Sequence, residues 1–168
     1  MIDFLRGCIV HREADWVVLD TGGVGYRVFC ANPYAFGDDG ETVTIFIHYH
    51  VREDAHLLFG FASREEQRLF RKLLDVSGVG PRVALGMLSG ARPETLIGAI
   101  RGEDAAFLSR LPGIGKKTAQ RMILDLKDKL DEFHGMAAAA PEAGTPGRKA
   151  RGAENPAWDE AKQAPMAL

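Results

Sequence analysis

The 168-residue sequence predicts a β + α protein in two parts, a small β-barrel followed by an all-helical unit. Three observations carry that prediction. Apolar residues alternate with polar ones up to Ala62, then recur at helical spacing from Ser63 onward. The charge changes sign at the same point: residues 1–62 hold 4 Lys/Arg against 9 Asp/Glu, and residues 63–134 hold 13 against 10. Finally, the second part contains one Gly-x-Gly turn twice, "SGVGPR" at Ser77–Arg82 and "PGIGKK" at Pro112–Lys117, 35 residues apart. The net charge of −2 would have hidden this split between an acidic and a basic module.

The strands come first. "MIDFLRGCIV" opens the chain, and "VVLDTGGVGYRVFC" reads as two strands around a Gly22-Gly23 turn, with Val24, Tyr26, Val28 and Cys30 on one face. "TVTIFIHYHV" alternates through Val43, Ile45, Ile47 and Tyr49, and "HLLFGF" at His56–Phe61 ends the block. About five strands within residues 1–62 fit a closed barrel of the OB-fold type. Its net charge of −5 argues against the common OB-fold role of holding single strands in a basic groove. Cys8 and Cys30 form no CxxC pair and sit in strand-like runs, so both are expected to be buried free thiols in a reducing compartment. There is no signal-peptide pattern and no apolar run of the ~18 residues a membrane span needs, so a cytoplasmic protein is expected.

The helical part begins with Ser63, a predicted N-cap, and Glu66 three residues later completes a capping box. Leu69, Phe70, Leu73 and Leu74 form the apolar stripe of that helix. Pro81 and Pro93 stand where helices accept proline in the first turn. Ala119, Met122, Ile123, Leu126, Leu130 and Phe133 predict one continuous last helix, giving about five short helices over residues 63–134. Residues 135–155, rich in Ala, Gly and Pro, read as a flexible linker. Residues 156–168 read as the start of a further helix, with Ala157, Trp158, Ala161 and Ala164 on one side and Pro165 disturbing it.

The repeated turn suggests a chemistry. A helix N-terminus presents unpaired N–H groups, and its dipole favours an anion there. Glycine lets a phosphate approach the backbone, and Arg82, Lys116 and Lys117 add positive charge beside the two turns. Such a site reads phosphate rather than bases, so binding is expected to be sequence-independent and salt-sensitive. The competing reading is a plain helix–helix connection that needs glycine for close packing. A nucleotide P-loop is excluded, because its first glycine would fall on Arg110 and its hydroxyl residue on Lys117.

In the barrel part, Glu53 and Asp54 lie adjacent between two predicted strands, a pattern that usually marks a solvated turn. His48, His50 and His56 are close by, but they form no recognised metal-ligand spacing. No catalytic residue and no cofactor are expected.

In order and spacing, "GVGYRV", "VREDAHLLFGF", "GVGPRVALGMLSG" and "LPGIGKKTA" resemble the RuvA family of bacterial Holliday-junction branch-migration proteins, over residues 1–134. The resemblance implies an OB-fold barrel followed by tandem helix-hairpin-helix motifs, and a fourfold homotetramer on a four-way DNA junction, with its pairing into an octamer left open. It implies phosphate contacts from Gly78, Gly80, Arg82, Gly113, Gly115, Lys116 and Lys117, and an acidic pin at Glu53 and Asp54 that keeps the junction open. It also implies a separate ATPase partner, RuvB, and the resolvase RuvC, with roles in recombination and repair after DNA damage. The family's small C-terminal domain contacts RuvB, and residues 156–168 resemble only its first helix. Junction binding is therefore expected to survive and coupling to RuvB to be weakened. Two alternatives stay open here. "LPGIGKKTA" is also similar to the hairpin of helix-hairpin-helix DNA glycosylases, in which Lys117 would be the nucleophile. The nearby aspartates, Asp125, Asp128 and Asp131, all fall within the predicted last helix. A generic duplex-binding module is the other.

Overall fold

A computed structural model describes residues 1–134; the expected linker and terminal helix lie outside the described residues. Five strands, β1 (Phe4–Arg12), β2 (Trp16–Thr21), β3 (Val24–Cys30), β4 (Thr42–Val51) and β5 (His56–Phe61), close a barrel in the order β1-β2-β3-β5-β4. Every pairing is antiparallel except that of β3 with β5, which is parallel. The β2–β3 turn is tight because Gly22 and Gly23 both take positive φ, 61° and 90°, as a two-residue primed turn requires. Leu5, Ile9, Val17, Leu19, Val28, Ile45, Ile47 and Leu58 fill the barrel. Gly60 also points inward, since a Cβ there would stand 2.4 Å from Val28 Cγ1 and 2.7 Å from Ile45 Cγ2.

Strand β5 explains how the barrel meets the helices. Leu58 and Gly60 face the barrel interior, while Phe59 and Phe61 face outward into the helical core. The rings of Phe59 and Phe61 lie 5.4 and 4.8 Å from that of Phe70 on α1 (Arg64–Leu74). A strand buried on both faces reads as the unbroken apolar run "HLLFGF" instead of an alternation. Gln67 is buried in this seam at 1% exposure. Its amide donates to the Ile47 carbonyl at 2.6 Å and to the Asp3 carbonyl at 3.1 Å, which offsets the cost of burying it. Arg64 pairs with Asp3 at 2.6 Å and, through that hydrogen bond, holds its carboxyl below the usual range.

The remaining helices are α2 (Pro81–Gly90), α3 (Pro93–Arg101), α4 (Ala105–Ser109) and α5 (Lys116–Leu126). Pro81 and Pro93 occupy the first turns of α2 and α3, as their fixed φ and missing N–H favour. All of these elements pack on one core, which runs from Phe59 through Leu96, Ile97 and Met122 to Phe133.

Four expectations are corrected. The capping box is only half reciprocal: Ser63 Oγ accepts from the Glu66 N–H, but the Glu66 carboxylate reaches back to the N–H of Ala62. The last helix stops at Leu126, where the chain tightens into i→i+3 bonds such as Lys129 N–H to the Leu126 carbonyl. Arg101 takes the Leu130 carbonyl at 2.5 Å, an acceptor that a continuing helix would have offered to His134. Leu130 and Phe133 are still buried, so their spacing reported burial correctly and helix length incorrectly. Asp128 and Asp131 consequently fall beyond α5. Cys30 is buried, with its thiol pushed up to about 12 by desolvation and then Asp15, but Cys8 is only half-buried. Val24, at the end of the β2–β3 hairpin, is exposed and does not join Tyr26, Val28 and Cys30.

Candidate nucleic-acid interface

The two Gly-x-Gly turns have nearly the same backbone. Gly78 and Gly113 take φ of 92° and 77°, the left-handed region that favours glycine. Gly80 and Gly115 are the helix N-caps, at φ −89°, ψ 175° and φ −92°, ψ 174°. Val79 N–H bonds back to Val76 at 3.1 Å and Ile114 N–H to Leu111 at 3.2 Å, and all four side chains are buried. Each turn is thus held from beneath by its own apolar pair while its glycines stay at the surface.

The turns also face each other. A Cβ on Gly113 would lie 3.3 Å from Val83 Cγ2, and one on Gly78 would lie 3.8 Å from Thr118 Oγ1. Val83 and Thr118 are 35 residues apart, as the two glycines are, so the hairpins are related by an internal pseudo-twofold. Arg121 on α5 extends the same relation, its Nη1 lying 3.5 Å from the Ser77 carbonyl of the first turn. The two glycines of each turn therefore have different reasons for being glycine. Gly78 and Gly113 need their φ, and Gly113 also needs room. Gly80 and Gly115 have ordinary φ and nothing within 4 Å of a built Cβ, so neither packing nor backbone strain requires glycine there.

Capping separates these helices from two of their neighbours. Ser63 and Asp104 close the N-termini of α1 and α4 with side-chain hydrogen bonds. Gly80 and Gly115 supply none, so the N-terminal amides, from Arg82 onward in α2 because Pro81 has no N–H and from Lys116 onward in α5, have no side-chain cap. Lys116 and Lys117 are exposed beside the second of these ends, and among the described residues neither has an ion-pair partner. Arg82 differs: its guanidinium lies over the Phe29 ring on β3, 4.5 Å from the centroid, and 3.5 Å from Asp15.

Glu53 and Asp54 occupy the tip of the β4–β5 hairpin, closed by the Arg52 N–H to Ala55 carbonyl bond at 2.8 Å. Both are exposed, and among the described residues no hydrogen bond or ion pair neutralises them or ties them to the glycine turns. Along β4, His48 packs against Phe70 and His50 against Phe59, whereas Tyr49 bonds His56 at 2.6 Å. Burial, then Arg71 and His50, push His48 down to about 4. These histidines belong to the packing of the β4–α1 and β4–β5 seams.

Comparison with known proteins adds the family. Residues 1–60 match the profile described as RuvA N terminal domain, and residues 70–128 match the SAM-like helix-hairpin-helix tandem. A protein of Brevibacillus brevis named Holliday junction branch migration complex subunit RuvA is 51% identical over 162 residues, covering 95% of this chain and 79% of that protein. The chain belongs to the RuvA family. RuvA proteins of Halalkalibacterium halodurans and Acidobacterium capsulatum are each 47% identical, covering 100% and 86% of this chain and 83% and 72% of their own lengths. Against the RuvA background the glycosylase reading of "LPGIGKKTA" falls away. Sequence reasoning missed Arg121, Phe29 and Asp15. Arg121 was discoverable, one helical turn beyond Lys117 on α5; the other two depend on long-range packing and left no local signal.

Proposed function

We propose that this chain is the non-motor, junction-binding subunit of a Holliday-junction branch-migration complex, acting in recombination and DNA repair. The observation that carries the reading is the open space at Gly80 and Gly115, on two uncapped helix ends that share one backbone geometry. Amides there, with Gly78, Gly113, Arg82, Lys116 and Lys117 around them, hold the phosphates of a duplex arm without reading its bases. Glu53 and Asp54 act oppositely. In a fourfold tetramer their carboxylates converge on the junction centre, repel phosphates and keep strands apart as they exchange.

The chain performs no covalent chemistry in this scheme. Strand movement is driven by a separate ATPase of the RuvB type, with RuvC-type resolution following, and the complex works in the cytoplasm. A gel-shift series on a four-way junction, a linear duplex and a single strand at rising salt tests the reading. Preference for the junction with steep salt dependence is expected; equal affinity for junction and duplex overturns it.

A further inference from the structure

The hairpins are equivalent in backbone but not in their cations. At the position matching Lys117, Arg82 extends toward the barrel and lies on the Phe29 ring, with its Nη1 3.5 Å from Asp15. Phe29 is itself fixed on β3, paired with Trp16 on β2 and Phe59 on β5. The backbone of Asp15 is held as well, because its carbonyl accepts the Cys30 N–H at 2.9 Å, while its carboxylate stays exposed. The arginine of the "GPR" segment is therefore met by two groups from the barrel. The Arg82 side chain forms no hydrogen bond among the described residues, and Asp15 faces only its Nη1 as an ion pair, so the Nε and Nη2 edge of the planar fork stays open.

We propose that Phe29 and Asp15 are positioning residues for DNA binding: they hold the Arg82 guanidinium beside the N-terminus of α2, with its free edge presented to a phosphate. This rests on the phosphate-gripping role of the first hairpin argued above. An arginine free in solvent loses rotamer entropy when a phosphate captures it, and one already stacked on an aromatic face loses less. The second hairpin differs, with two adjacent lysines and, among the described residues, no aromatic ring beneath either. A lysine at position 82 would use the ring poorly, because it lacks the flat guanidinium face.

The test is a double-mutant cycle on a four-way junction at fixed salt, with Phe29→Leu, Phe29→Tyr, Asp15→Asn and Arg82→Gln. Phe29→Leu is expected to weaken binding about two- to fivefold, the range of an exposed cation–π contact. Phe29→Tyr, which keeps the face, restores affinity. Asp15→Asn changes affinity only when Arg82 is present, and in the Arg82→Gln background neither Phe29→Leu nor Asp15→Asn has a further effect. Equal effects in both backgrounds would mean that these residues act through the barrel or through general charge, and would overturn the proposal. Tighter binding by Phe29→Leu would also overturn it, since the ring would then be sequestering Arg82. If the parent chain shows no junction binding at all, the failure lies with the function proposed above and not with this positioning role.

Discussion

Val83 Cγ2 lies 3.3 Å from the point where Gly113 would carry a Cβ, and Gly113 has φ 77°. Gly115, two residues on, has ordinary φ and nothing within 4 Å. The pair separates folding from binding within one turn. Gly113→Ala is expected to cost about 1–2 kcal/mol from the left-handed backbone alone, with the Val83 contact adding to it. Gly115→Ala is expected to cost about 1 kcal/mol or less, the difference between glycine and alanine at an N-cap, yet to weaken DNA binding. Urea denaturation beside gel shift measures both; a Gly115→Ala protein with unaltered affinity would show that no phosphate approaches there.

Lys116→Ala is expected to weaken binding to any DNA, whatever its sequence. The slope of log K against log salt should become shallower by about one, since one phosphate contact is lost. A titration of binding over salt concentration checks this, and an unchanged slope would remove Lys116 from the interface.

Glu53→Gln with Asp54→Asn should leave stability nearly unchanged, because both side chains are exposed and unpaired among the described residues. Junction affinity should hold or rise. A fluorescent base analogue at the crossover should report less strand separation. Loss of binding would contradict a repulsive role for the turn.

The folded chain protonates His48 only near pH 4, below the ordinary value of 6.5. Below 6.5 the unfolded chain takes up a proton that the folded chain refuses, so this residue lowers stability as pH falls from about 6.5 to about 4. Beneath that range its contribution is constant. Urea midpoints at pH 7 and pH 4.5 should differ less for His48→Gln than for the parent protein.

Gly60→Ala is expected to destabilise the barrel by about 1–3 kcal/mol or more, because the new methyl would meet Val28 and Ile45 inside the barrel. Calorimetry on the purified chain measures it. A neutral result would mean the barrel interior has slack at β5.

Most of the candidate site was legible in local signals. Gly78, Gly80, Gly113 and Gly115 declared themselves by recurring around one β-branched residue and before one basic stretch. The alternation through Ile45 and Ile47, the Ser63 cap and the Pro81 and Pro93 helix starts each act within a few residues, so each could be read from spacing. The misread helix end has a long-range origin. The spacing of Leu130 and Phe133 reports which side of the chain is buried, but the Arg101 bond that helps end the helix comes from 29 residues away.

The strands, the capped helices, the two glycine turns and the exposed acidic pair follow from the residues alone, because backbone conformation, turn chemistry and amphipathic period are local properties. Three-dimensional packing was needed to place β3 parallel to β5, to make Phe59 and Phe61 join barrel to helices, and to turn Val83 and Thr118 toward the opposite hairpin's glycine. It alone set Arg82 on Phe29 while leaving Lys117 without an ion-pair partner among the described residues. Those relationships join residues tens of positions apart through close packing and directional contacts, and no period along the chain encodes which distant surface a side chain will meet.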